Sequence, residues 1–327
     1  MRFFHLPPQD DLALRQQARA PVTGLRGVLP DAAWLHDTAR EHGVDFATAT
    51  FYEAVLAHPV HSAFVQQIMA MPEPLEVGCR AGSIMLVPGF VWEDYPELGA
   101  DGQLIMQVAQ RLGFDVHRVP VHGRGALSDN AERIIAALDS LTAKRSWLVT
   151  LSKGSADLGY ALRSRREAIA WEKLAGWINV CGSPNGSDLA TVIVDSPWRQ
   201  LGARAMCCSS RIPFQALREL STRHPIWEVP LALPAEFRVI NVLGMPLRWH
   251  LTRALVARHR LLARHGPNDG VVLCANAFIT PGLIYPLWGY DHYFRGPEIV
   301  PLLYRLFRWV QDEERAMRVP VMQQCGT

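Results

Sequence analysis

Over the first 75 or so residues the apolar positions recur at helical spacing, and no short alternating run signals a strand. Pro30-Asp31 opens one predicted helix, with Trp34, Leu35, Thr38 and Ala39 on a face. Phe46, Thr50, Phe51, Val55 and Leu56 mark another, and Pro72 with Pro74 closes the segment. Residues 1–75 therefore read as an N-terminal helical extension and 76–327 as the main domain.

From residue 83 the pattern changes to short apolar runs alternating with amphipathic stretches. Predicted strands lie at 83–87, 115–121, 147–151, 177–181, 237–243 and 284–290. Helices are expected over 104–112, from about 154, from Pro246 to near Gly266, and over 297–310. The clearest helix is 129–141: Ala131, Ile134, Ile135, Leu138 and Leu141 share a face, and Asp129 and Glu132 have capping-box spacing. Residues 186–235 break the rhythm with scattered prolines and aromatics and read as an inserted cap. Alternation of this kind predicts an α/β fold, a mainly parallel central sheet with helices on both faces.

Composition narrows the function classes. A net charge of +2 with 20% charged residues gives no reason to expect a nucleic-acid partner. Gly270 to Tyr290 carries no charge, but Asn276, Pro281, Gly282 and Pro286 make one spanning helix a poor reading. Two buried segments joined by a turn are expected there, and no membrane span. Met1 to Pro8 lacks the apolar stretch of a secretion signal. Cys79, Cys181, Cys207, Cys208, Cys274 and Cys325 form no CxxC pair, so a reducing cytoplasm is expected, with Cys181 and Cys274 as small buried apolar groups. His58 and His61 are three apart, but Pro59 lies between them and no third ligand is near, so no metal site is expected. No cofactor is implied, and the oligomeric state is not legible.

The chemistry gathers at Leu148-Val149-Thr150-Leu151-Ser152-Lys153-Gly154. A strand runs into a helix with a serine at the junction and small residues two positions away on each side. A hydroxyl held on such a tight turn is lifted above the sheet, near the N–H groups of the helix start, where an oxyanion can be stabilised. The same position also suits a serine that merely caps a helix. Three segments bear on the choice. Leu86-Val87-Pro88-Gly89-Phe90-Val91 ends an earlier strand, in a turn that could be ordinary or could offer an N–H. Gly266-Pro267-Asn268-Asp269-Gly270 is a turn whose Asp could orient an imidazole. Gly289-Tyr290-Asp291-His292 follows the last strand. The order Ser152, Asp269, His292, each at a strand end, is the order of one known class of hydrolase site.

With these residues in hand, the chain resembles the α/β-hydrolase superfamily, on its lipase and esterase side. Asn179-Val180-Cys181-Gly182-Ser183-Pro184-Asn185-Gly186-Ser187 is similar to the Gly-Thr-Pro-His-x-Gly-Ser stretch of bacterial lipases, with Ser183 for the Thr and Asn185 for the His. The chain departs from the pattern at Thr150, where a glycine is usual, and at Pro88, where a His is usual. The resemblance spans roughly 83 to 310. It implies a serine hydrolase with Ser152 as nucleophile, His292 as base and Asp269 as acid, Asp188 and Asp291 being rivals for the last role. The oxyanion donors would be the N–H of Phe90 (or Val91) and of Lys153. The implied substrate is a small ester or thioester with an apolar group, touched by Val91, Trp198, Phe214 and Trp227. Arg248, Arg253, Arg258, Arg260 and Arg264 read as a solvated face of helix 246–265, or as contacts for an anionic carrier such as a coenzyme A phosphate, which would make the protein a thioesterase. A non-catalytic binding or scaffold protein on the same fold is the alternative.

Overall fold

A computed structural model describes residues 8–72, 82–142, 145–233 and 236–318. Pro74, Cys79, Cys325 and the first seven residues lie outside the described residues, as does any reading placed on them.

Six strands form one sheet: β1 (Gly82–Val87), β2 (Phe114–Arg118), β3 (Ser146–Leu151), β4 (Leu174–Val180), β5 (Arg238–Met245) and β6 (Leu283–Trp288), in the order β2-β1-β3-β4-β5-β6. Every neighbouring pair is parallel. Parallel pairing requires a crossover between strands, and the helices predicted between the apolar runs supply it. The order reverses between β1 and β3, so the chain leaves the two strand ends there in opposite directions. The crevice this opens is the general ligand position in open α/β sheets.

The apolar runs are continuous because both faces of the sheet are covered. On one face Ile84, Leu86, Trp147, Val149, Ile178, Val180, Ile240 and Val242 pack with α4 (Pro59–Ala70), α5 (Gln103–Arg111) and α12 (Ile299–Arg318). On the other, Met85, Val87, Leu148, Trp177 and Val239 meet α6 (Leu127–Asp139) and α7 (Lys153–Ser164). Of the N-terminal helices, α2 (Ala32–His42), α3 (Val44–Ala57) and α4 reach the core, while α1 (Pro8–Gly24) packs on α3. Leu35, Phe51 and Val55 pack with Leu243, Met245 and Ile284, and Phe64 and Ile68 join the α5/α12 face. Between β4 and β5 the cap carries α8 (Asp188–Val194), α9 (Pro197–Ser209) and α10 (Phe214–Leu220).

Two local expectations are corrected. Residues 246–266 do not form one helix: they give two single 3₁₀ turns, Arg248–His250 and Arg253–Leu255, then the short α11 (Val256–Leu262). The Asp291 carboxylate takes the Thr252 N–H at 2.7 Å, so a side chain captures a donor that a helix from Pro246 would use, and the His250 ring accepts the Leu247 N–H at 3.1 Å. The five arginines therefore share no helical face, and Arg248 is bound to Asp45 at 2.6 Å. Likewise Asp129 does not cap α6. The helix begins two residues earlier, and the Ser128 N–H and hydroxyl donate to Glu219 of the cap at 3.0 and 2.8 Å.

The uncharged run 270–290 folds as a short bridge (Asn268 with Leu273), a 3₁₀ turn at Cys274–Asn276 and then β6. No helix among the described residues is long and apolar enough to cross a membrane.

Candidate active site

Ser152 is the residue between β3 and α7. Its backbone sits at φ 48° and ψ −118°, a conformation that costs an L-residue free energy and persists only where the surroundings enforce it. They do so here. The Ser152 N–H donates to Val180 O at 3.2 Å, and the Ser152 carbonyl accepts from Ser155 at 3.1 Å. Gly154 is needed for the close approach of β1, since a Cβ there would lie 2.5 Å from Pro88 O. The serine occupies the N-cap position of α7, yet its side chain caps nothing. Its Oγ lies instead 2.8 Å from His292 Nε2.

His292 follows β6, and its Nδ1 lies 2.7 Å from Asp269 Oδ2. The other carboxylate oxygen of Asp269 accepts the N–H groups of Val271 and Val272 at 2.8 and 2.7 Å. The His292 N–H donates to Asp269 O at 2.9 Å, which ties the two loops together. Three side chains up to 140 residues apart thus form one hydrogen-bonded row at the C-terminal rim of the sheet. The imidazole and carboxylate are largely withdrawn from water, with side-chain exposures of 9% and 5%.

No protein-family model matches this sequence, and no curated protein matches it either. Solved structures do. A metagenomic carboxyl esterase, MGS0156, superposes with a TM-score of 0.59 at 22% identity, covering 76% of this chain and 80% of its own. The lipase BlEst2 of Bacillus licheniformis, in mature form, gives 0.53 at 20% identity, covering 73% and 95%. The chain has the α/β-hydrolase fold.

Within that fold the rivals of Asp269 are engaged elsewhere. Asp188 accepts from Asn276 Nδ2 at 2.7 Å. Asp291 accepts the N–H groups of Thr252 and Tyr293. The Pro88–Phe90 turn abuts the start of α7 through Gly154, and the N–H groups of Phe90 and Lys153 have no acceptor among the described residues. Val91, half-buried beside Gly123, carries a positive φ of 50°. Cys181, at the end of β4, is pushed up by burial and so stays a protonated thiol beside the turn.

The cap aromatics fare differently. Trp198 is 85% exposed. Phe214 lies under the Arg204 guanidinium at 4.8 Å. Trp227 donates to Glu219 O at 3.1 Å and stacks near Arg163, fixing the cap to α7. Among the described residues no three metal-ligating side chains converge. His58 and His61 stack ring on ring at 4.2 Å, with His58 at the N-cap of α4 and Pro59 as its first residue.

Sequence reasoning missed what lies beneath the serine. Trp177 Nε1 donates to Thr150 Oγ1 at 2.7 Å, Thr150 Oγ1 and Ser155 Oγ lie 2.6 Å apart, and Ser155 Oγ donates to Asn179 Oδ1 at 2.8 Å. Each hydroxyl has one proton. Since Ser155 spends its own on Asn179, Thr150 must donate to Ser155, and the chain runs in one direction. It continues from Asn179 Nδ2 to Asn241 Oδ1 at 3.0 Å and to Ala277 O at 2.8 Å. Thr150, where a glycine is usual, is thus a buried link of this row rather than a loose substitution. The visible signal was two asparagines inside apolar strands. Lys153, buried after the serine, sends its ammonium to Asp157 at 2.8 and 3.0 Å. Burial pushes the Asp157 carboxyl up, against the pull of that ammonium.

Proposed function

We propose that the chain is a serine hydrolase that cleaves a carboxylic ester or thioester bearing an apolar group, through an acyl-enzyme on Ser152. The observation that carries this reading is the row Ser152 Oγ, His292 Nε2, His292 Nδ1, Asp269 Oδ2, with spacings of 2.8 and 2.7 Å on a strained strand-to-helix turn. His292 takes the hydroxyl proton on Nε2 as Oγ attacks the carbonyl carbon, and Nδ1–H donates to Asp269, which favours the imidazolium. The oxyanion receives the N–H groups of Phe90 and Lys153. The tetrahedral adduct collapses, His292 returns its proton to the leaving alcohol or thiol, and water repeats the cycle on the acyl-enzyme.

Support for the substrate class comes from the carboxyl esterase and the lipase that share the fold. Val91 and Trp198 are the proposed contacts for the apolar group, Trp227 being held by Glu219 O and Arg163, and Phe214 facing a hollow of the cap whose lining includes none of Ser152, Asp269 and His292. A reducing compartment fits the free thiols of Cys181, Cys207, Cys208 and Cys274. The test is labelling by an alkyl fluorophosphonate together with turnover of p-nitrophenyl esters and acyl thioesters. The intact chain labels once and turns over. Ser152→Ala does not label and loses on the order of 10⁴–10⁶ in kcat. Labelling that survives Ser152→Ala would remove the serine from the mechanism.

A further inference from the structure

The cap bears an open hollow of about 470 Å³ whose wall includes none of Ser152, Asp269 and His292. Gln200 and Arg204 reach it from α9, Phe214 and Arg218 from α10, and Arg223 and His224 from the turn that follows. Three guanidinium groups therefore border one concavity. Arg223 is neutralised by Asp195, at 2.8 Å. Arg204 lies over the Phe214 ring at 4.8 Å, and neither it nor Arg218 has an ion-pair partner among the described residues. The site thus carries two guanidinium charges, those of Arg204 and Arg218, that no carboxylate among the described residues offsets. Like charges held around a hollow repel, and a bound anion of matching charge removes that cost.

Charge and size together select the ligand. A lone carboxylate offers one negative charge and one guanidinium fork would satisfy it. A phosphate monoester near neutral pH carries almost two, with three acceptor oxygens for two forks. The volume falls in the range of about 300–1,000 Å³ used for small organic ligands, far beyond a bare phosphate. The Phe214 ring, with Val194 and Pro225 on the same wall, supplies apolar surface for the rest of the molecule. We infer that the cap binds the phosphate monoester dianion of a small organic molecule, at a site separate from Ser152. Because its two free cations come from α9 and α10, the bound dianion would tie these two helices of the cap together.

Calorimetric titration of the full chain with phenyl phosphate tests this. Saturable binding of one equivalent is expected, retained in Ser152→Ala. Arg204→Gln and Arg218→Gln each weaken it about tenfold, and the pair together abolishes it. Both side chains are exposed, so melting without ligand is expected to stay unchanged, which separates lost binding from lost folding. Inorganic phosphate binds more weakly, lacking the ring. The inference is overturned by absence of saturation up to about 10 mM, by undiminished binding in the double variant, by loss in Ser152→Ala, or by equal affinity for inorganic phosphate.

Discussion

Asn179 and Asn241 stand opposite each other on β4 and β5, and the side-chain amide of one donates to the carbonyl oxygen of the other at 3.0 Å. Thr150 of β3 occupies the same register as Asn179, so one polar row crosses three strands inside an apolar sheet. A buried row of this kind is stabilising only while every member is satisfied. Here each asparagine also reaches main chain: Asn241 takes the Ile279 N–H at 3.0 Å and gives to Ile279 O and Leu283 O. The row therefore joins the floor of the Ser152 turn to the loop before β6, the strand that His292 follows.

Asn241→Leu strands the Ile279 N–H and one Asn179 amide proton without acceptors. Each lost partner costs about 1–3 kcal/mol. Urea denaturation should show a loss of about 3 kcal/mol, with fluorophosphonate labelling slowed as the floor loosens. A midpoint shift within error of zero would mean that the row has no structural weight.

The three carboxylates considered as the acid separate by what they hold. Asp269→Asn leaves the imidazole without its carboxylate and is expected to lower kcat about 10⁴-fold. Asp188→Asn removes a partner of Asn276, and Asp291→Asn weakens the hold on Thr252 and Tyr293, so both should alter melting and leave kcat within about tenfold. Ester kinetics on the three variants decide the matter, and an equal fall in Asp188→Asn would reassign the role.

How far the sequence could be read follows from how local each signal is. The runs 83–87 and 147–151 appear as strands within a residue of the expected bounds, because burial on both faces writes itself into an unbroken apolar run. The positions of Ser152 and His292 after β3 and β6 were legible for the same reason, whereas Asp269, expected at a strand end, lies beyond α11 in the turn closed by the Asn268–Leu273 bridge. What decided between Asp269 and its rivals was not legible, because it depends on which loop lies beside His292. The two misread helix starts were captures over distance. Glu219 takes the start of α6 from 91 residues away, and Asp291 takes Thr252 from 39 away. Periodicity carries no trace of such bonds, so it reported a longer helix in one case and the wrong cap in the other.

The cap is expected to depend on one cation. Arg163 of α7 donates to Val229 O at 2.9 Å, Pro184 O at 3.1 Å and Asn185 Oδ1 at 2.7 Å, thus gripping both ends of the insertion. Burial lowers its guanidinium to about 10, so it remains charged at neutral pH. Arg163→Met keeps the stem near Trp227 and removes the donors, at a cost on the order of 2–4 kcal/mol for several charged hydrogen bonds. Limited proteolysis should then cut within 186–233 faster than in the intact chain. Unaltered cleavage would mean that Glu219 alone suffices to hold the cap.

Acid should weaken the fold through His61. Burial, with the stacked His58 ring as a lesser cause, lowers its imidazole from 6.5 to about 4. In the unfolded chain the ring takes a proton as pH falls below about 6.5, while in the folded chain it stays neutral until about 4. The unfolded state thus binds more protons in this window, so stability is full above it and declines as pH falls from 6.5 to 4. Allowing for water near the half-exposed neighbour ring, the loss amounts to about 2 kcal/mol. His61→Phe retains the stacking and has nothing to protonate. Urea melts at pH 7 and pH 4.5 should therefore show a smaller acid loss in His61→Phe than in the parent chain. Equal losses would place the acid sensitivity in other groups.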